Sequence, residues 1–514
     1  VVEHPGASDA DARFAELQRR LRSIENAGAA DSEEQTVVIM PSLDVGRNVL
    51  IRHQPMLPTL EERALYQLLM LRHPNLRAVL LTSSPVPEAV LDYQLSLIPE
   101  TGDVPARDRL VRFSPDDDSP RPLAEKLLDR PDLIEEIRAA VGDPGRAFIA
   151  PYDVGPPERD LALALGIPIY GPGVHAYEHG TKRGSRAAFA AAGVSHPPGV
   201  NGVATREEVA AAIQTLRRDD PALTAVVIKL NDSVYGEGNR VVRTDDLPLG
   251  GTAEEQAEIL RRLDEFGDDY WAELASDPGI VEAFVVGSEM RSPSVQMRIM
   301  ADGSPGLVST HDQLLGGPRG QQFVGCTFPA NESYAGTIAA ETAKLRAALA
   351  ARGVVGRFGV DFVVVRDPDS GAWMPYAVEI NLREGGTSHP FGALYLLTDG
   401  RYDAEAGRFE TEHGPRYYVA SDDLEGSVPW KGLTIEALLD AARAEPGLLY
   451  DHASQTGVVF HMLRSLEPFG VIGATAIAGS RDAAQELYAR VPALLDRLAG
   501  DQAAAARPGS ASTA

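Results

Sequence analysis

The stretch Val378-Glu379-Ile380-Asn381-Leu382-Arg383 reads as a β-strand with two unlike faces. Successive side chains on a strand point to opposite sides. Val378, Ile380 and Leu382 therefore share one face, which can enter a core. Glu379, Asn381 and Arg383 share the other, an anion, a neutral oxygen ligand and a cation spaced about 7 Å apart. Upstream, Val360-Asp361-Phe362-Val363-Val364-Val365 is apolar on both faces except at Asp361. An ionised Asp in such a strand is costly unless it is paired or bound to metal. The turn Asp367-Pro368-Asp369-Ser370-Gly371 joins the two strands as a hairpin, so Asp361 and Glu379 are expected to face each other. Two carboxylates and a carboxamide oxygen on one wall make a hard-oxygen site of the kind Mg²⁺ takes beside phosphates. Arg383 could neutralise a transferring phosphoryl group. Taken alone, Glu-x-Asn-x-Arg is as easily a solvent-facing polar stripe; the enclosed acid opposite argues for a site.

The bulk numbers frame this reading. A chain of 514 residues exceeds one ordinary core and implies several domains. Lys plus Arg number 48 and Asp plus Glu 74, a net charge of −26 that argues against nucleic-acid or membrane-surface partners. One cysteine, Cys326, excludes an intramolecular disulfide and suggests a cytoplasmic protein, with the thiol as a small apolar core residue. No apolar run reaches membrane-spanning length, and Val1 to Ala12 lack the apolar stretch of a signal peptide.

Strand candidates Val37 to Met40, Ala78 to Leu81, Leu110 to Phe113 and Ala147 to Ala150 alternate with helical stretches. These include one entered through a capping box at Thr59 and Glu62, and one over Leu123 to Val141. Such alternation predicts a parallel sheet covered on both faces, Rossmann-like, over residues 30–170, without the Gly-x-Gly-x-x-Gly fingerprint. After Gly171-Pro172-Gly173 the pattern becomes α+β. A helix runs from Thr181 to Gly193 and another is boxed by Thr205 and Glu208. Strands follow at Ala225 to Leu230, Arg240 to Arg243, Val281 to Val286 and Val295 to Met300, and later at Gly457 to Met462 and Val471 to Ala478. Lys229 ends an apolar strand and calls for an anion there. Lys182 lies in the first turn of its helix, where free N–H groups and the dipole favour phosphate. The loop Tyr235-Gly236-Glu237-Gly238-Asn239 can bring backbone N–H groups against phosphates.

Taken together and in this order, these residues resemble the ATP-grasp superfamily. Glu379 to Arg383 resembles its metal-binding strand and Gly359-Val360-Asp361-Phe362 the strand of the partner acid. The resemblance implies Lys182, Lys229, Ser233, Gly236, Gly238, Glu282, Ala283, Phe284 and Glu289 as nucleotide contacts. In that pattern Val281 to Phe284 is the adenine hinge and Glu289 the ribose acid. Asp361, Glu379 and Asn381 become ligands of Mg²⁺, two ions with Mn²⁺ able to substitute, and Arg383, Arg298 and Lys229 the groups that stabilise charge. It divides the chain into a flexible segment over 1–29, a Rossmann-like pre-ATP-grasp domain over 30–170, a small ATP-grasp lobe over 171–285 and a large lobe with the metal site over 286–428. A small C-terminal α+β domain over 429–499 and a flexible tail over 500–514 complete it.

His311-Asp312-Gln313, Gly325 to Pro329, Gly385-Gly386-Thr387-Ser388-His389-Pro390 and Gly457 to Leu463 are similar to the pheganomycin-type peptide ligases. The resemblance implies an ADP-forming ligase that makes an amide through an acyl phosphate, in peptide natural-product biosynthesis. Its partners would be an amino-acid or other small carboxylate and an amino-acid or peptide amine, with a homodimer allowed. Ser388, His389 and Arg383 are then candidates to meet substrate. The alternatives on the same fold are a phosphotransferase that stops at phosphorylation and a non-catalytic ATP-binding module. D-alanine–D-alanine ligases place an arginine two residues before the Asp; here Gly359 stands there, with Arg357 one strand step back, so that substrate is disfavoured. His175-Ala176-Tyr177-Glu178-His179 fits the pattern of inverted zinc proteases but lies between glycines that forbid a long helix. His461, on a Val/Phe-rich strand, reads as a structural histidine.

Overall fold

Val37, Val38, Ile39 and Met40 are all fully enclosed, as a strand covered on both faces requires. They form the middle of a four-stranded parallel sheet in the order Leu110–Phe113, Leu76–Leu81, Gln35–Met40, Ala147–Pro151. The computed structural model describes residues 9–29, 34–43, 47–99, 104–233, 236, 238–248, 250–317, 320, 322–404, 406–422 and 428–505. The chain divides into two compact units. The first comprises chiefly Pro172–Phe323 and Ala330–Arg383; the second comprises Glu3–Gly171, Val324–Pro329 and Glu384–Ala514.

In the second unit, several local expectations change. Residues 9–29, read as flexible, form the helices Asp9–Gln18 and Leu21–Ala29. Phe14, Leu17, Leu21 and Ile24 recur at helical spacing and are buried, and the Gln18 amide both donates to and accepts from the backbone of Ile169. Thr59 and Glu62 do not form a capping box. The helix starts earlier, at Leu57, where Pro58 suits a first turn. The Glu62 carboxylate instead accepts from the Arg464 backbone N–H. The stretch Leu123 to Val141 is two helices, Leu123–Leu128 and Pro131–Val141, because Pro131 cannot continue the first.

The segment from residue 429 lies in this second unit. Gly473–Ala478 pairs with both Tyr417–Ser421 and Gly457–His461. The Phe460 backbone N–H donates to the Tyr93 hydroxyl at 2.8 Å, tying this sheet to the helix Glu88–Ser96. The final helix, Arg481–Ala505, reaches into the expected tail, of which 506–514 lie outside the described residues.

The first unit holds two antiparallel sheets. One runs Gly199–Val203, Gly279–Ala283, Ala225–Lys229, Asn239–Arg243 and packs on the helices Arg206–Asp219, Ala253–Leu263 and Asp268–Ser276. The Thr205–Glu208 capping box forms as read. The other sheet runs Trp373–Asn381, Gly356–Arg366, Pro293–Ile299, Pro305–Gly316. Phe358, Val360, Phe362, Val364, Ile380 and Leu382 line its inner face against the helices Lys182–Ala192 and Glu332–Ala351. The hairpin at Asp367 to Gly371 is present, closed by the Asp367 N–H donating to the Ala372 carbonyl at 2.8 Å. Its register skips Val378, since Asp361 faces Glu379 while Phe362 faces Ala377. Val378 is therefore a half-buried bulge residue and not a core residue.

Phe358 is fully enclosed in this core. Phe358→Ala should cost about 3–5 kcal/mol, read as a lower urea midpoint for the first unit by tryptophan fluorescence.

Candidate active site

The outward face of the second antiparallel sheet is ordered in rows by its register. Asp361 lies opposite Glu379 on one side and Ser294 on the other. Gly359 lies opposite Asn381 and Gln296. Arg357 lies opposite Arg298, and just past Asn381 the chain carries Arg383 at the same end. An acidic row, an amide row and an arginine row thus succeed one another at two-residue steps. Arg357 was not read from sequence as part of the site. Only the pairing with Pro293–Ile299 places it beside Arg298. Gly359 has a steric reason to be glycine, because a Cβ there would fall 2.7 Å from the Gln296 amide nitrogen.

Asp361 is half-buried, less enclosed than its apolar strand suggests. It accepts from Gln313 Nε2 at 2.7 Å and from Asn381 Nδ2 at 3.0 Å. Burial, followed by the charge of Glu379, raises its pKa from 3.8 to about 7. Glu379 Oε1 pairs with Lys182 Nζ at 2.6 Å, and the same ammonium donates to the Ser233 carbonyl at 3.0 Å. Lys182 is thus held between the acidic row and the glycine loop. The helix Lys182–Ala192 has Thr181 as its N-cap, but its first amides are not free as expected. Lys182 N donates to Asn231 O, Arg183 N to Asn231 Oδ1, and Gly184 N to Thr181 Oγ1. The Lys182 side chain, and not the helix terminus, is the cation on offer.

The glycine loop is described at Ser233, Gly236 and Gly238; Tyr235 and Glu237 lie outside the described residues. Gly236 has φ 70°, which favours glycine, and its carbonyl accepts from Asn239 N. A Cβ at Gly238 would collide with Ser233 Oγ at 2.5 Å. Ser233 Oγ is itself buried and has no hydrogen-bond partner among the described residues, an orphan that a phosphate oxygen would satisfy.

Lys229 does not wait for a ligand. Its ammonium pairs with Glu282 Oε2 at 2.6 Å, while Arg186 holds Glu282 Oε1 at 2.6 Å and also donates to Pro197 O. Glu282 is 1% exposed. Burial opposes its ionisation, but Lys229 and Arg186 hold its pKa below the ordinary 4.5. Both oxygens of its carboxylate are thus paired within the protein, and one of them positions Lys229. Ala283 and Phe284 are half-buried, and their N–H groups donate to Pro198 O and Ala225 O. Glu289 pairs with Arg366 at 2.8 Å near the surface. Ser388 and His389 belong to the second unit. Ser388 Oγ accepts from Gly385 N, and His389 is buried beside Asp422 and His461. His175 to His179 sits in a 3-10 helix, with the His175 ring against Arg352 O.

Asp361, Glu379 and Asn381 supply two carboxylates and an amide, the hard-oxygen chemistry that fits Mg²⁺. The Lys182 ammonium links this wall to Ser233, whose hydroxyl is the orphan described above.

Comparison with known proteins places the chain in a family and a fold. Residues 266–405 match the family described as IQCH-like, ATP-grasp, and residues 437–491 match the PGM1 C-terminal domain. The chain is 33% identical over 456 residues to the L-propargylglycine–L-glutamate ligase of Streptantibioticus cattleyicolor, covering 87% of this chain and 91% of that one. It is 23% identical over 290 residues to the IQ motif-containing protein H of Danio rerio, covering 49% of this chain and 27% of that one. Among solved structures, the biotin carboxylase domain of Hydrogenobacter thermophilus 2-oxoglutarate carboxylase, in complex with MgADP, ADP and bicarbonate, aligns with TM-score 0.52 and 14% identity over 91% of this chain and 94% of that one. Rhizobium etli pyruvate carboxylase aligns with TM-score 0.54 and 16% identity over 91% of this chain and 39% of that one. At such identities these two show the fold alone.

Two outcomes are expected from these charges. Asp361 must lose its proton to bind a cation, so Mg²⁺ affinity should be level above about pH 7 and fall about tenfold per unit below it. Calorimetry at pH 6 and 8, in buffers of different ionisation enthalpy, reads both the affinity and the released proton. Glu282→Gln leaves two cations buried against a neutral amide and should destabilise the protein by about 3–5 kcal/mol, read by chemical denaturation.

Proposed function

Because the chain belongs to the ATP-grasp family that includes the L-propargylglycine–L-glutamate ligase, we propose that it joins an amino-acid carboxylate to the amine of a second amino acid or a peptide. ATP is the co-substrate, and ADP and phosphate are the other products. The observation that carries this reading is the ordered face of the sheet, with Asp361 and Glu379 in one row and Arg298 beside Arg357 two steps along.

The substrate carboxylate attacks the γ-phosphorus, the bond to the ADP oxygen breaks, and an acyl phosphate forms. An amine then attacks the acyl carbon and phosphate leaves with the electrons of its C–O bond. Little of this asks for covalent help from the protein; positioning and charge supply most of the catalysis. Asp361, Glu379 and Asn381 would hold Mg²⁺, which when bound neutralises phosphate charge. Lys182 exchanges Glu379 for a phosphate oxygen, and the Ser233 hydroxyl donates to another. Glu282, itself held by Arg186, fixes Lys229 at the end of its strand. Arg298, Arg357 and Arg383 concentrate positive charge at one end of the face, where a carboxylate or a departing phosphate gains most. With a net charge of −26, this local cationic end is the part of the protein suited to attract anionic substrates.

The test is ADP release from the purified chain with Mg²⁺, ATP and a panel of amino acids, singly and in pairs. ADP release that requires both an acid and an amine, with a matching amide detected by mass spectrometry, is the expected result. ADP release that needs no amine would favour a phosphotransferase. Glu379→Gln should lower turnover by about 10²–10³-fold with an unchanged far-ultraviolet circular dichroism spectrum. Retained turnover would remove Glu379 from the site.

A further inference from the structure

A separate cluster of ligating side chains lies within the second unit. His389 is the second residue of the helix Ser388–Thr398, His461 ends the strand Gly457–His461, and Asp422 follows the strand Tyr417–Ser421. Their exposures are 4%, 7% and 5%. Three atoms converge. His389 Nε2 lies 2.9 Å from Asp422 Oδ1, His461 Nε2 lies 3.2 Å from the same oxygen, and the two ring nitrogens are 3.1 Å apart. The other carboxylate oxygen, Asp422 Oδ2, is 2.9 Å from the guanidinium of Arg63, itself buried.

This triangle cannot be satisfied by hydrogen bonds while Asp422 is ionised, the state its contact with Arg63 favours. If both imidazoles carry a proton on Nε2, two N–H groups point at each other across 3.1 Å. If either nitrogen is bare, its lone pair faces a carboxylate lone pair at 2.9 or 3.2 Å. One edge is repulsive in every arrangement, in surroundings where an unsatisfied contact is costly. A cation bound by all three atoms removes the conflict. Ligands about 2.0–2.1 Å from a tetrahedral ion stand roughly 3.4 Å apart, so the triangle needs to open by only a few tenths of an ångström. Gly473 keeps the approach clear, since a Cβ there would overlap His461 Nε2.

We propose that His389, Asp422 and His461 bind a divalent transition metal, Zn²⁺ first among them, which pins three distant chain segments together in the second unit. Two imidazole nitrogens and one carboxylate oxygen suit a borderline-soft ion, and Mg²⁺, which prefers oxygen throughout, is a poor match. Asp422 and His461 are 39 residues apart and His389 and His461 are 72 apart, so the ion closes long loops. The three side chains thus serve as a staple: His389 is withdrawn from the substrate role its sequence context suggests, and His461 is more than a structural histidine.

The experiment uses the untagged full chain. Metal content is measured by mass spectrometry after growth with added Zn²⁺. The protein is then stripped with a chelator and titrated with Zn²⁺ and with Co²⁺. The expected result is about one Zn²⁺ per chain, a lower melting temperature after stripping that Zn²⁺ restores, and visible ligand-field bands with Co²⁺. His461→Gln and Asp422→Asn should weaken Zn²⁺ binding by about 10–100-fold or more, while Glu379→Gln keeps the stoichiometry, which separates this site from the oxygen site in the first unit. Wild-type protein that carries no zinc and binds none on titration overturns the proposal, and this arm needs no folded variant. Zinc retained undiminished in His461→Gln overturns it equally.

Discussion

Two carboxylates held opposite each other across an antiparallel ladder are the constraint on which the first unit turns. The ladder fixes the backbones of Asp361 and Glu379 opposite each other. Like charges this close repel, and partial burial magnifies the repulsion. The protein relieves it in two ways. Asp361 keeps a proton up to about pH 7, and Glu379 takes an ion pair with Lys182. Both are exchangeable, since a divalent cation can replace the proton on one acid and the ammonium on the other. The freed lysine is then next to the Ser233 carbonyl and the loop glycines. In the proposed reaction, cation binding and phosphate binding would be coupled through this single side chain.

The core behind the face makes this rigid. Phe358, Val360, Ile380 and Leu382 are packed on the opposite side of the same strands. A slip by one residue would carry the acids into that core and the apolar residues to the outside, at a cost in both directions. The bulge at Val378 interrupts the hairpin register immediately before Glu379. Bulges re-aim neighbouring side chains, and this one lies where the aim of a carboxylate matters.

Alternation along one strand sufficed to place Glu379 and Asn381 on one face and Ile380 and Leu382 on the other. The hairpin turn sufficed to set Asp361 opposite Glu379. The parallel sheet was legible from four enclosed apolar runs separated by helical stretches. What stayed hidden depends on contacts between segments far apart in sequence. Arg357 joins Arg298 only through the register of two strands about 60 residues apart, which no local pattern encodes. Glu282 was read as a nucleotide contact from the family resemblance; its pairing with Lys229 and Arg186 needs the Gly279–Ala283 strand beside Ala225–Lys229. The amides of the helix at Lys182 looked free because Asn231, which occupies them, is 48 residues away. The helices before residue 30 were masked by acidic and small residues around a real apolar stripe.

Asp361, Glu282 and Asp422 show how partners decide what burial means. Desolvation is the first influence on Asp361, Glu282 and Asp422 alike, and acts in the same direction on each. Glu282 meets two cations and ends ionised, with both oxygens used. Asp361 meets another acid and two neutral amides and ends with a raised pKa. Asp422 lies between: Arg63 holds one oxygen, and the other faces two imidazole nitrogens that cannot both be satisfied. A fully paired acid has no free energy to gain from a ligand and serves as structure. An acid whose neighbours leave it in conflict gains from a cation by the amount of that conflict. By that criterion the two sites proposed among the described residues would suit cations, one built of oxygen and the other of nitrogen and oxygen, and the chemistry of the neighbours separates the ions each would take.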